Sequence, residues 1–419
     1  MPGSMLTSHR LRIFLPFAAG YFFSYLLRNA NAVITPELTR DLGIGPGRLG
    51  LLTSAYLLAF ACFQLPLGML LDSFGPRRVN GGLLLVACLG CVLFARGRSL
   101  PALVLARALI GLGVSACLMA AFQALAQRFE GRHLPAVNAA LLAAGGLGAL
   151  AATRPLSQVV HLLGWRGFFL AATGLGLVAA AAVWTTPETA ATRPGEGLRD
   201  QLRGLRGVLA APAFWRFAPL TAFANGGFIA LQGLWVVPWM MQVDGLGRDA
   251  AARQLVWVSL AMILGFLAIS GLASRLARAG VSPLALYRYG MGFGIVLMVL
   301  VVGRVLPSTA LWMALGFAFS FSNLPFALLS ASFPLHLAGR VNTVLNLAVV
   351  LGAFLLQWAI GLAVDGLTGA GLAPVAAYRA TFALLTALQA GSYAWFLWSA
   401  WGGEDGGREM CRSGEAMQG

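Results

Sequence analysis

Arg28 stands in the run Gly20-Tyr21-Phe22-Phe23-Ser24-Tyr25-Leu26-Leu27-Arg28-Asn29-Ala30-Asn31, inside an otherwise apolar stretch. On a helix, positions 21, 24, 25, 28 and 31 fall on one face. Tyr21, Ser24, Tyr25, Arg28 and Asn31 therefore form a polar stripe. A guanidinium at depth in a bilayer costs at least about 2.5–3.5 kcal/mol, so it should face protein, water or a ligand. Arg107 lies a similar distance into another apolar run, near 101–125. Two positive charges that converge without a neutralising carboxylate would form a site for an anion. The competing reading of Arg28 is snorkelling, with the head group reaching the interface from about two turns below it.

Other side chains could shape such a site. Asn225, Phe228, Gln232, Trp235 and Trp239 make a second stripe, and Ser320, Asn323 and Pro325 fall in a later run. Gln64, Gln123, Asn138, Asn346 and Gln357 add neutral hydrogen-bonding groups. Each amide could instead bond a neighbouring helix, and the tryptophans could belong to an interfacial belt. The acidic residues avoid the apolar runs: Asp72 and Asp365 fall at run ends, and the rest in loops or tails. His9, His133, His161 and His336 are placed in loops or at run ends as well. Proton or cation pathways place carboxylates or histidines in the membrane, so proton coupling through a buried carboxylate is not expected.

The elements that would hold these residues are legible in the composition. Of 419 residues, 59% are hydrophobic and 10% charged, against about 25% charged in a soluble domain. Mean hydropathy is +0.79. Apolar runs fall near 11–34, 50–71, 79–96, 101–125, 136–153, 166–185, 217–241, 254–274, 285–304, 311–333, 341–364 and 379–401. Most have the length needed to cross a hydrocarbon core of about 30 Å, and they are continuous, without the alternation of a β-barrel strand. The expected fold class is an all-α membrane protein of twelve transmembrane helices. The first run reads as a retained span and not a cleaved signal peptide.

The net charge is +15, and every basic residue is Arg. The arginines are dispersed among the apolar runs, so anionic lipid is a simpler partner than nucleic acid, and none of the latter is expected. Arg10, Arg12, Arg77, Arg78, Arg128, Arg132, Arg275, Arg278 and Arg340 favour cytoplasmic termini by the positive-inside rule. A bacterial inner membrane is the expected location. Cys62, Cys88, Cys91 and Cys117 sit in apolar runs and Cys411 in the tail; no disulfide framework, metal site or cofactor is expected.

The polar stretch 186–216 divides the chain into an N-terminal six-helix bundle, 1–185, and a C-terminal one, 217–401, followed by a tail at 402–419. The halves echo each other. Gly131-Arg132 precedes Asn138 at the interval by which Gly339-Arg340 precedes Asn346, and Trp165-Arg166-x-x-Phe169 matches Tyr378-Arg379-x-x-Phe382. Duplicated six-span units place a binding site between the halves, near the midplane.

One stretch carries a family resemblance. Gly68-Met-Leu-Leu-Asp72-Ser-Phe-Gly75-Pro-Arg77-Arg78, between the second and third runs, resembles the loop signature of the major facilitator superfamily; Ser73 and Pro76 depart from it. Arg107-x-x-x-Gly111-x-Gly113 resembles that family's span-4 motif, whose Arg contacts span 1. The Gly-Pro motif of drug/proton antiporters is missing, and Arg154-Pro155 stands in the corresponding region. The resemblance implies two pseudo-symmetric bundles of six helices, with spans 1, 4, 7 and 10 around a central pathway and Gly68, Asp72, Gly75, Arg77 and Arg78 as a conformational latch. It implies a monomeric transporter that moves a small solute by alternating access and carries out no catalysis.

With the residues above, the expected cargo is a small anion, of the kind taken by anion or nitrate porters. Tyr21, Tyr25, Arg28, Asn31, Arg107, Asn225, Gln232, Trp235 and Asn323 are the candidate substrate contacts. Export of amphipathic compounds or siderophores is the alternative, and a non-transporting sensor or assembly protein on the same scaffold is a third.

Overall fold

The structure is a computed structural model that describes residues 8–129, 134–187, 205–305, 308–333 and 338–415. Apart from short turns and connections these residues are helical, with no strand among them. In chain order the first half comprises α1 (Ser8–Leu42), α2 (Pro46–Arg96), α3 (Leu100–Gly113), α4 (Cys117–Ala126), α5 (Leu134–Ala151) and α6 (Arg154–Trp184). A short helix, α7 (205–210), leads into the second half. There follow α8 (Pro212–Thr221), α9 (Gly227–Ala230), α10 (Val236–Gln242), α11 (Arg248–Arg278), α12 (Pro283–Gly303), α13 (Ser308–Phe319), α14 (Leu324–Ser330), α15 (Ala338–Gly369) and α16 (Pro374–Glu415).

Among the described residues, nine helical segments are long and apolar enough to cross a bilayer. Helices α1, α5 and α16 occupy the remaining three apolar runs, which is consistent with twelve spans. The exterior carries large apolar side chains: Leu85, Leu89, Leu105, Leu147, Val178, Leu267, Val296, Leu355 and Leu384 are all exposed, while Asn31, Asn80, Arg107 and Gln357 are buried. Exposed apolar patches of this extent suit lipid as the surrounding solvent.

Proline and glycine set the boundaries. Pro46, Pro101, Pro155, Pro212, Pro283 and Pro374 each open a helix within its first two positions, where the missing N–H has no intrahelical partner to lose. Two spans meet inside α2 at Gly75 (φ 78°, ψ 160°), and two meet inside α6 at Gly164 (φ 70°, ψ 167°). Both backbones lie in a region open essentially to glycine alone. The two turns join the second and third spans of each three-span group, at opposite ends of the first half. That is the geometry of an inverted three-plus-three repeat.

Two boundaries differ from the sequence reading. The fifth span does not end at 153: after a break at Thr153 (φ −101°, ψ −123°) the helix resumes and runs to Gly164. Arg154 is thus helical, because Pro155 at the start of a new helical segment costs no hydrogen bond. Helix α1 continues eight residues past the apolar run, to Leu42, so Glu37 and Asp41 are helical residues and not loop residues. Glu37 is largely buried there, paired with Arg248. Gly131, Arg132, His133, His336 and most of the 186–216 segment fall outside the described residues.

Candidate functional site

The polar stripe of α1 meets the two helices beside it. Arg28 is half-buried, and its guanidinium carbon lies 5.0 Å from the Tyr25 ring centroid, 5.1 Å from Phe60 and 6.0 Å from Tyr56. A cation against ring faces is favoured by the ring quadrupole. Tyr21 and Tyr25 stack edge to face at 5.0 Å. Among the described residues no carboxylate pairs with Arg28, and its Nε is buried without a partner.

Arg107 is fully buried on α3. Its Nη1 donates to the Leu27 carbonyl at 3.1 Å, and its guanidinium carbon lies 5.2 Å from Tyr56 and 6.0 Å from Phe94. Nε and Nη2 are buried without partners. The glycines that follow it are contact points: a Cβ at Gly111 would stand 2.1 Å from the Tyr56 carbonyl oxygen, and one at Gly113 would stand 2.3 Å from the Ala87 nitrogen. The spacing Arg107-x-x-x-Gly111-x-Gly113 thus brings span 4 against spans 2 and 3 while its Arg reaches span 1. Asn31 is fully buried, and its amide donates to Thr53 Oγ1 at 2.9 Å, leaving Oδ1 without a partner.

Tyr56 is the residue that the sequence reading missed. It lies against both arginines, and its hydroxyl donates to the Ser24 carbonyl at 3.5 Å. A lone Tyr in an apolar run carries no positional signal in the sequence; only the packing of α2 against α1 reveals it.

The second-half candidates form their own network. Asn225 Nδ2 donates to the Ser322 carbonyl (3.4 Å) and to Asn323 Oδ1 (3.3 Å), joining spans 7 and 10. Gln232 Nε2 donates to Ser259 Oγ at 3.4 Å. Trp235 is fully buried, with its indole N–H on the Gln357 carbonyl at 2.9 Å. Asn323 Nδ2 is buried without a partner. Helix α1 packs against Leu231–Trp235, so the two clusters abut where the halves meet.

The backbone is irregular at these positions. Asn225 lies in a π-helical turn, Ala222–Gly226, and Gln232 and Trp235 in a second one, Leu231–Trp235. Asn323 closes a 3-10 turn, Ser320–Asn323, and span 4 breaks between α3 and α4. Such turns free backbone groups and redirect side chains, and they recur at functional sites. Non-helical backbone at membrane depth is tolerated only where protein or a cavity satisfies it.

The five residues expected to form a latch lie at or beside the Gly75 turn. Arg77 Nη1 donates to the Thr186 carbonyl at the end of the sixth span, at 3.0 Å. Gly68 and Asp72 are half-buried, Arg78 is exposed, and both Asp72 and Arg78 are engaged with neighbours.

A protein-family model described as Major Facilitator Superfamily matches residues 17–357. Over 93 residues the chain is 32% identical to the probable sulfoacetate transporter SauU of Cupriavidus necator, covering 22% of each protein. It is 31% identical over 288 residues to a chloramphenicol resistance protein of Pseudomonas aeruginosa, covering 66% of this chain and 63% of that one. The chain therefore spans less than two thirds of the length of these curated relatives. Among solved structures, a bacterial homologue of the human lysosomal transporter Spinster superposes with a TM-score of 0.73 at 16% identity, covering 94% of this chain and 97% of that one. At that identity the likeness is one of fold.

Proposed function

The chain belongs to the Major Facilitator Superfamily, and from that premise we propose that it transports a small anionic solute by alternating access. Membrane transport of small solutes follows from the family; the charge of the cargo is our reading of the site. It is carried by one observation: Arg28 is half-buried in the bundle, framed by aromatic rings and unpaired by any carboxylate among the described residues. A cation so placed is stabilised by a negatively charged guest, and the low dielectric strengthens that pairing.

In this reading Arg28 meets the anion while Tyr21, Tyr25 and Tyr56 frame it. Arg107, fully buried on Leu27 and Tyr56, contributes its field and positions span 1 without touching the guest. Asn31, Asn225, Gln232, Trp235 and Asn323 shape the pathway where the halves meet, and the π-helical turns let their positions change as the halves rock. The partial likeness to a sulfoacetate transporter supports an organic anion. Uptake into liposomes, against a panel of anions and neutral analogues with and without a pH gradient, tests the reading. Anions should be taken up in preference, and Arg28→Gln should abolish that uptake. Normal affinity for anions in Arg28→Gln would sink it.

A second reading, export of amphipathic compounds, has its own support. Phe228 stacks on Phe319 at 4.2 Å, and Trp239 on Phe382 at 4.5 Å. The likeness to a chloramphenicol resistance protein points the same way. Preference for neutral aromatic compounds in the same uptake panel would favour it.

A further inference from the structure

The two halves differ at the end opposite Gly75. Asp41 and Asp244 stand 203 residues apart, the offset that also separates Gly68 from Gly271, so they hold corresponding places at the ends of the first and seventh spans. In the first half the carboxylate is occupied: Asp41 Oδ2 accepts from the Trp165 indole at 2.9 Å and from Arg166 Nη1 at 3.5 Å. In the second half Tyr378-Arg379 stands where the first has Trp165-Arg166. Arg379 Nε donates to the Val302 carbonyl at 3.0 Å, as Arg166 Nη2 does to that of Gly97 at 3.4 Å. The Tyr378 ring packs on Trp235 and Phe382. Asp244 takes neither as partner. It accepts from Ser308 Oγ at 2.6 Å and lines a cavity of about 290 Å³.

Gln254, Arg304 and Thr309 line the same cavity, and Val301 and Leu311 give it an apolar wall. Gln254 Oε1 is buried without a partner. The Arg304 charge is felt at Asp244, yet the two form no ion pair. Burial pushes the Asp244 carboxyl up from its ordinary value, against the pull of Ser308 and Arg304, so its negative charge is left under-compensated. Arg304 has φ 56°, the one positive φ outside glycine among the described residues. A backbone position that glycine would fill without strain therefore carries a guanidinium.

We infer that this cavity is a second binding site, apart from the central pathway, for a small zwitterion of the amino acid type, with its ammonium on Asp244 and Gln254 Oε1 and its carboxylate on Arg304. The chemistry of the walls selects that class. Two acceptors, one of them charged, call for a cationic donor, and a guanidinium calls for a carboxylate. A simple cation would be repelled by Arg304 and a simple anion by Asp244. A guest bearing both charges satisfies each and spans the gap that keeps the protein's own two charges from pairing. The volume lies at the low end of small-molecule sites, which begin at about 300 Å³, so the guest is compact. Every lining residue among those described belongs to the second half, and none is a candidate contact of the central pathway. The inference therefore depends on neither the transport reading nor the charge of the cargo.

Calorimetric titration of the detergent-purified protein tests the site, with L-alanine, β-alanine and γ-aminobutyrate as probes. Propionate and propylamine carry one charge each and are the controls. At least one zwitterion should bind, and neither control should. Asp244→Asn should weaken that binding about tenfold or more, the loss of one charge-assisted bond. Arg304→Gly should weaken it as much while melting no lower than the parent, because glycine adopts a positive φ freely; this variant keeps the test open if Asp244→Asn folds poorly. Asp41→Asn, the first-half counterpart, should bind as the parent does. No binding by any of the three zwitterions would mean that the cavity holds water only and would overturn the site. Equal binding of a single-charge control would overturn it too, as would a loss seen in Arg28→Gln but not in Asp244→Asn, which would put the probe in the central pathway. If a zwitterion binds as stated while no anion is transported, only the cargo assignment falls.

Discussion

The Arg107 guanidinium carbon sits 5.2 Å from the centroid of the Tyr56 ring, and Arg28 approaches the same ring at 6.0 Å. One aromatic ring therefore serves two membrane-embedded cations that no carboxylate neutralises among the described residues. The ring offers each guanidinium a negative π face without adding a charge.

Tyr56→Leu should therefore destabilise the protein by about 2–4 kcal/mol, from lost cation–π contact and the space left behind. Tyr56→Phe keeps the ring and gives up the hydroxyl with its long 3.5 Å hydrogen bond to Ser24 and its contact with Arg28, so its cost should stay below that of Tyr56→Leu, at about 1.5 kcal/mol. Thermal melting of the detergent-purified variants measures both. Equal losses would mean that the hydroxyl matters and the ring does not.

Close helix contact at glycine gives a second test. A Cβ at Gly111 would stand 2.1 Å from the Tyr56 carbonyl oxygen, and one at Gly148 would stand 2.2 Å from that of Phe22. Neither backbone can yield as a flexible side chain does. Gly111→Ala and Gly148→Ala should each cost about 1–3 kcal/mol or more. Gly82→Ala, which meets nothing within 4 Å, should be neutral or slightly stabilising in the same melts.

The turn at Gly75, with φ 78° and ψ 160°, should reject a side chain for a different reason. Gly75→Ala meets backbone strain of about 1–3 kcal/mol. Gly164→Ala, at φ 70° and ψ 167°, should lose a similar amount. A parent-like melting temperature for either variant would show that its turn relaxes to another conformation.

Trp235→Phe removes the indole N–H from the Gln357 carbonyl. The carbonyl keeps its bond within α15, so only one extra hydrogen bond is lost, and a cost of about 0.5–1.5 kcal/mol should appear in stability. Trp257→Phe, at an exposed position, is the control and should change little.

Asp41 provides a pH test. It accepts from the Trp165 indole at 2.9 Å, and that bond, aided by Arg40 and Arg166, holds its carboxyl below the usual aspartate value. A lowered folded pKa means that the stabilisation is present above the unfolded value of about 3.9 and is lost as pH falls through the folded one. Asp41 is well exposed, so solvent screening keeps the effect small. Acidification from pH 5 toward pH 3, by order of magnitude the carboxylate range, should lower the parent's melting temperature more than that of Asp41→Asn. Parallel pH profiles would show that the Trp165 bond contributes nothing.

Much of the architecture could be read from one dimension. Apolar runs of bilayer length, proline at helix starts and glycine at Gly75 act locally, so they are visible without a fold. Composition fixed the solvent as lipid, and the stretch Gly68–Arg78 pointed to the family. The stripe of α1 was legible because helical periodicity alone puts Tyr21, Tyr25, Arg28 and Asn31 on one face.

Contacts between distant segments had to wait for the tertiary structure. The sequence placed Arg28 and Arg107 at comparable depths, yet only packing buries Arg107 fully on Leu27 and leaves Arg28 partly exposed. It placed Glu37 in a loop, because the continuous apolar run stops near 34 and only Leu38 and Leu42 are apolar in the stretch that continues the helix. The π-helical turns around Asn225 and Gln232 arise where neighbouring spans satisfy displaced backbone groups, and periodicity counted at 3.6 residues cannot show them. Hydropathy is a property of each segment by itself, whereas burial, partner and charge environment belong to pairs of segments. The chain by itself therefore determined that it spans a membrane as a helical bundle, and the assembled fold decided which of its arginines is fully enclosed and which stays partly exposed.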